Sequence, residues 1–192
     1  MADQTVQFPS DVTPEQFFEQ FLPLGFEANA ASLPMAATAQ LNLQFNLTGD
    51  GGGEWQVAIQ DGKLASTKGS GDANVTFTLA VDDWRDAVLG QNGAGMEMLL
   101  PQPKAGRPDT SGRVRELKGT IALELAREEK DPFKMEMCFN NVTAPRTVVR
   151  MKMQDYIDVQ SGKVHGQEAF MQGRIRVEGD MALLMQIAMM TM

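Results

Sequence analysis

Residues 166–192 read GQEAFMQGRIRVEGDMALLMQIAMMTM, and they dictate what the preceding chain must supply. A short apolar turn, Ala169-Phe170-Met171, comes first. Arg174, Arg176 and Glu178 then alternate with Ile175 and Val177, the period-2 pattern of a half-buried strand. Gly179-Asp180 stops that strand and offers a helix N-cap, because an Asp carboxylate can accept from the first unpaired N–H groups of a helix. The helix that follows is apolar almost all round, through Met181, Leu183, Leu184, Met185, Ile187, Ala188, Met189 and Met190, with Gln186 as the main polar interruption. A helix without a polar face must be buried or must lie against another apolar body. Which of the two it does is the functional question.

The chain upstream supplies a dry surface. Leu41, Leu43, Phe45 and Leu47 alternate with Asn42, Gln44 and Asn46; Trp55, Val57 and Ile59 alternate with Gln56, Ala58 and Gln60. Asp61-Gly62 is a strong hairpin signal, so Lys63 to Thr67 should pair back antiparallel. Val75, Phe77 and Leu79 continue the pattern, and Ile121–Leu125, Met135–Phe139 and Val149–Met153 repeat it. Strands with one wet and one dry face predict a mainly antiparallel sheet covered by helices on one face, an α+β fold. Ahead of it, Thr13-Pro14-Glu15-Gln16 starts a helix with a capping box, carrying Phe17, Phe18 and Phe21, which Pro23 or Gly25 should end. Residues 1–12 form an arm, a short helix is expected over Ala94–Leu100, and the proline-rich 101–116 stretch should be a long loop.

Two segments match at a shift of 72. VDDWRDAVLG (81–90) and MQDYIDVQSG (153–162) place Asp83, Trp84, Asp86 and Gly90 on Asp155, Tyr156, Asp158 and Gly162, each after an alternating strand. The match suggests an internal duplication of a strands-then-helix unit. A plainer reading stays open, since acidic residues are favoured at any helix N-terminus. The expected organisation is an arm and helix over 1–40 and one domain over 41–192, with half-units 41–100 and 117–192.

Composition narrows the function. A net charge of −8 makes nucleic acid and anionic lipid surfaces poor partners. The single cysteine, Cys138, excludes an internal disulfide framework and suits a reducing compartment. No signal peptide, membrane-spanning run or peroxisomal address is evident, so stable membrane insertion is not expected and a cytoplasmic protein is. Ten of the 14 methionines fall between Met135 and Met192, and methionine suits both irregular cores and adaptable apolar binding surfaces.

Catalytic signals are few. His165 is the one histidine, which makes a zinc site of the usual nitrogen and sulfur type a poor fit, and no cofactor motif is found. A Cys138–His165 nucleophilic pair is conceivable, but Cys138 sits mid-strand among methionines. Glycines 49–53 lie between two strands and make a hairpin turn rather than a phosphate cradle. Asp82, Asp83, Asp86, Asp155 and Asp158 share helix faces, yet first-turn placement explains them without acid–base work. Arg174 and Arg176 are expected as solvated or paired charges on the wet face of their strand, with service as counter-ion to a bound fatty acid the alternative.

The order of features resembles the sterol carrier protein type two family. The resemblance runs from Val148 through Asp155-Tyr156, Gly162-Lys163, the segment AFMQGRIRVEGDM (169–181) and Leu184 to about Met190. It recurs more weakly over Glu54–Val57, Asp61–Lys63, Ala73–Thr78 and Asp83-Trp84. It implies a mixed, mainly antiparallel five-stranded sheet, helices over one face, and an apolar tunnel that takes a sterol, fatty acid or acyl-CoA without catalysis. The positions it places on that tunnel are Tyr156, Ile157, Phe170, Met171, Met181, Leu184, Met185 and Ala188. The chain departs from the family in length: residues 91–147 enter as an insertion carrying two extra strands, as either one enlarged sheet or a degraded tandem pair. The competing reading is an interaction module whose methionine-rich helix packs into a partner or a twin subunit, as in a homodimer. An enzyme acting on an apolar substrate, with His165 or an Asp as base, is the third.

Overall fold

The computed structural model describes residues 8–29, 39–99 and 111–191. The expectations for residues 1–7 of the arm, for 30–38, for Leu100 at the end of the short helix and for 101–110 of the long loop lie outside them.

Eight strands form one sheet among the described residues. They are β1 (Leu41–Thr48), β2 (Gly53–Gln60), β3 (Lys63–Lys68), β4 (Val75–Ala80), β5 (Gly119–Ala126), β6 (Phe133–Phe139), β7 (Arg146–Lys152) and β8 (Arg176–Gly179), in the order β3-β2-β1-β4-β6-β5-β7-β8. The β1–β4 and β5–β7 pairs are parallel, and the rest are antiparallel. The five strands implied by the resemblance are enlarged to eight in one sheet, as the suspected duplication allows, and the strands within 91–147 belong to a second copy of the same pattern.

Registers establish the duplication. In the first repeat Leu47 pairs with Leu79 on β4, and in the second Leu125 pairs with Met151 on β7, which keeps Leu79 and Met151 at the 72-residue shift. Leu41 opposite Ile59 has its counterpart in Gly119 opposite Phe139. Helix α3 (Val81–Val88) leaves β4 as α5 (Met153–Gln160) leaves β7. Among the described residues, each repeat lacks one strand that the other has. The first has no equivalent of β8, and β6 takes that antiparallel place beside β4. The second has no equivalent of β3, and β4 takes that place beside β6. The β4–β6 seam thus completes both repeats at once. Asn140, at φ +51, ties off its end: its N–H donates to Asn74 O (2.9 Å) and its Nδ2 to Leu117 O (2.7 Å), while its Oδ1 accepts from Asn74 Nδ2 (3.1 Å).

The period-2 pattern sorts the two faces. Trp55, Phe45, Phe77, Met137, Ile121 and Thr147 form one continuous row on the dry face. The opposite row reads Gln56, Gln44, Thr76, Cys138, Thr120 and Arg146. Farther along that wet face, Arg150 bridges Glu124 (2.7 Å) and Glu178 (2.6 Å), and these bonds raise the arginine's pKa, that to Glu178 most.

Helices cover the dry face. Thr13 caps the first, with the reciprocal Gln16 bonds of a capping box. Helix α1 (Pro14–Gln16) passes through a π-turn (Phe17–Phe21) into α2 (Leu22–Asn29), so neither Pro23 nor Gly25 ends it. The wide turn, in which Leu22 N–H reaches Phe17 O, puts Pro23 in the opening turn of α2, where a missing N–H costs little. Phe18 stacks on Trp55 at 5.1 Å and 12°, and Phe17 meets Trp84 edge-on at 5.4 Å. This aromatic cluster fills the space over the first repeat. The remaining helices are a 3₁₀ turn (Gly95–Met98), α4 (Ser111–Val114), α6 (Gly166–Met171) and α7 (Met181–Thr191). Over the second repeat, Met153, Tyr156 and Ile157 of α5 and Leu183, Leu184 and Ile187 of α7 join the core.

Candidate functional site

The two equivalent helices, α3 and α5, are held by the same device. In the first repeat, Arg127 Nη2 pairs with Asp83 Oδ1 (2.8 Å) and Nη1 with Asp86 Oδ2 (3.4 Å), while Lys130 Nζ also reaches Asp86 (2.8 Å). In the second, Arg174 Nε donates to Asp155 Oδ1 (2.7 Å) and Nη2 to Asp158 Oδ2 (3.1 Å), with Lys163 Nζ on Asp158 (3.3 Å). Arg174 precedes β8 and closes its clamp within its own repeat. Arg127 precedes β6, the strand standing in β8's place, and so reaches across the seam from the second repeat to the first. These pairings account for the acidic clusters as helix anchors.

Arg174 corrects the sequence expectation. It does not extend the strand or lie on its wet face, because β8 begins only at Arg176 and the Arg174 guanidinium turns to the helix carboxylates. Engaged by both of those carboxylates, it is not free to serve as counter-ion to a ligand. Its bond to Asp155 raises its pKa. Asp158 has a lowered pKa, chiefly through the hydrogen bond from Gln154 Nε2 (3.0 Å), then through Lys163 and Arg174. A carboxylate with a folded pKa below its unfolded value contributes stability above the unfolded value of about 3.9 and loses it as pH falls through the folded value. We expect the wild-type melting temperature to fall steeply below about pH 4, and Asp158→Asn to melt lower at pH 7 with a flatter acid limb. Parallel acid limbs from calorimetry would refute this assignment.

The eight tunnel positions named from the resemblance divide into two groups. Tyr156, Ile157, Leu184 and Ala188 are half-buried in the helical layer. Phe170, Met171, Met181 and Met185 are exposed, at 45%, 80%, 41% and 54%, and Met189 adds another at 61%. Met181, Met185 and Met189 recur one helical turn apart and make an outward stripe on α7. The same helix is anchored through Leu183, which is buried, and through Leu184 and Ile187. Asp180 Oδ1 caps it by accepting from Ala182 N (2.7 Å) and Leu183 N (3.3 Å), and Thr147 Oγ1 donates to Asp180 O (2.6 Å). The question set by the sequence thus has a divided answer: one side of α7 is core and another is bare. Leu183 and Ile187 were not singled out from the sequence, although the Asp180 cap fixes the helical phase that turns them inward.

Two surface clefts open beside charged groups among the described residues. One, of about 400 Å³, is polar and runs among Asp82, Asp86, Arg127 and Lys130. The other, of about 300 Å³, lies at the foot of α7 beside Lys118, Pro145 and Leu183. Cys138 faces the wet side of the sheet, its Sγ 3.5 Å from Val142 O, whereas His165 is the exposed residue before α6 in the helical layer. Among the described residues no cluster of His, Cys, Asp and Glu forms that could hold a metal ion. No helix among them is long and apolar enough to cross a membrane.

The sequence profile of the SCP-2 sterol transfer family matches this chain twice, over residues 18–99 and over residues 97–191. Among solved structures, the sterol carrier protein domain 2 of Helicoverpa armigera is similar, with 20% identity over 53% of this chain and 83% of that one, at a TM-score of 0.37. Sterol carrier protein 2 of Yarrowia lipolytica, in its apo form, is 15% identical over 92% of this chain and 80% of its own, at a TM-score of 0.24. No match to a curated protein is found.

Proposed function

The chain belongs to the SCP-2 sterol transfer family, and on that premise we propose that it binds and carries an apolar ligand, without catalysis, between the helical layer and sheet of its second repeat. The observation that carries this reading is the bare apolar side of α6 and α7. Phe170, Met171, Met181, Met185 and Met189 stand in water, although apolar area gains about 25 cal/mol per Å² on leaving it. Methionine side chains repack at low cost, so α7 can turn them inward around a ligand. The first repeat is a poorer host, because Phe17, Phe18, Trp55 and Trp84 already occupy its dry face. The ligand's apolar body would lie against Tyr156, Ile157, Leu184 and Ala188, with Phe170, Met171, Met181 and Met185 closing over it. A single thiol, Cys138, fits work in a reducing compartment such as the cytoplasm.

Titration with methyl 12-(1-pyrenyl)dodecanoate, followed by pyrene emission, is expected to saturate at one probe per chain with roughly micromolar affinity. Emission that rises linearly without saturation would remove the reading.

A further inference from the structure

Asn92 is a polar side chain in an apolar setting. It follows α3 and is 8% exposed, close to Met98 at 4% and Leu99 at 2%. Its Oδ1 is spent on the backbone, accepting from Ala94 N (3.0 Å) and Gly95 N (2.8 Å), and so folds the 3₁₀ turn. Its Nδ2 donates to Met98 Sδ at 3.5 Å. A thioether is a weak acceptor, so among the described residues the donor capacity of this buried amide is largely unspent, and a low-dielectric setting makes a better acceptor worth more there. The next residue, Gly93, lies directly against α5: a Cβ built on it would come within 2.9 Å of Ile157 Cδ1. Asn92 is therefore the chain neighbour of a residue packed on the helix that carries two of the candidate ligand-facing side chains.

We propose that Asn92 is the polar anchor of the ligand site, donating from Nδ2 to an oxygen of the ligand in place of the Met98 sulfur. This rests on the lipid-binding reading above and deepens it. Only donors remain on the amide, so the ligand must present lone pairs. A carboxylate is a poor fit, because a buried charge needs a cation, and Arg127 and Arg174 each already hold two carboxylates. The chemistry selected is a neutral lipid with a hydroxyl, ketone or ester oxygen. Met98 can withdraw, since its unbranched side chain has three rotatable bonds.

The test compares two probes of equal length on the full chain: methyl 12-(1-pyrenyl)dodecanoate, whose ester only accepts, and 1-tetradecylpyrene, which has no oxygen. Asn92→Asp at pH 8 keeps an oxygen to cap Ala94 and Gly95 and removes the donors. It is expected to weaken the ester about tenfold, the effect of leaving one buried acceptor unpaired, and to leave the hydrocarbon unchanged. Met98→Leu removes the competing sulfur at similar volume and is expected to tighten the ester alone. Equal changes for both probes in Asn92→Asp, or an unchanged ester affinity in Met98→Leu, would overturn the role of Asn92 while lipid binding stood. Failure of the wild type to bind either probe would remove the lipid-binding reading and this inference with it.

Discussion

Cutting the chain after Gly179 is expected to abolish binding of the pyrene ester while leaving all eight strands in place. Strand β8 ends at Gly179, so the sheet keeps every strand, and the loss falls on α7 and on Asp180, whose carbonyl accepts from Thr147. A twelve-carbon chain gains about 0.8 kcal/mol per buried methylene, roughly 10 kcal/mol in all. Association costs leave a roughly micromolar site. Without α7, the layer loses Leu183, Leu184 and Ile187 together with the methionine stripe. Exposing about half of the ligand forfeits some 5 kcal/mol, enough to move a micromolar site past millimolar. Retained strand signal in far-UV circular dichroism with no saturable pyrene response is the expected pair of observations. Undiminished affinity in the truncated chain would remove α7 from the site.

The second large effect concerns the seam between the repeats. Unfolding in urea is expected to be a single transition, seen at the same midpoint by tryptophan fluorescence and by far-UV circular dichroism. Both tryptophans, Trp55 and Trp84, lie in the first repeat, so fluorescence reports that repeat while circular dichroism reports the whole sheet. The repeats cannot part cheaply. Separation would bare the facing edges of β4 and β6, uncover Phe77 beside Met137, and strip Arg127 from Asp83 and Asp86, which are 12% and 14% exposed in their side chains. An unpaired edge of that length is also a template for aggregation. Neither repeat is therefore a stable body alone, and two resolved transitions, with fluorescence leading or trailing, would contradict the shared-seam architecture.

Much of this fold was legible because period-2 alternation is a local signal. Leu43, Phe45 and Leu47 announce their face without knowledge of any partner strand, and Asp61-Gly62 announces its hairpin. The duplication was visible only at the strand-to-helix joint, where Asp83-Trp84 and Asp155-Tyr156 share chemistry. Elsewhere the repeats have drifted, as at Leu41 and Gly119, and only backbone register shows the equivalence. What stayed hidden was non-local. Nothing near β4 says that its missing neighbour is β6, because that strand lies more than fifty residues away. Arg174 looked like one beat of an alternating strand, and only the position of α5 shows that its guanidinium belongs to Asp155 and Asp158. In the candidate site, the apolar character of residues 181–190 was plain, but its division into an anchored side at Leu183 and a bare side at Met185 depends on where β7 lies beneath. Asn92 carried no signal, since a polar residue after a helix-ending glycine normally belongs to a solvated loop.

Native mass spectrometry of the purified 192-residue chain, before and after solvent extraction, tests lipid carriage most directly. One neutral lipid per chain, lost on extraction, with the protein at its monomer mass of 21.0 kDa, is the expected result. A protein that carries no lipid before extraction, and whose methionine stripe is instead covered by a second copy at twice that mass, would contradict it.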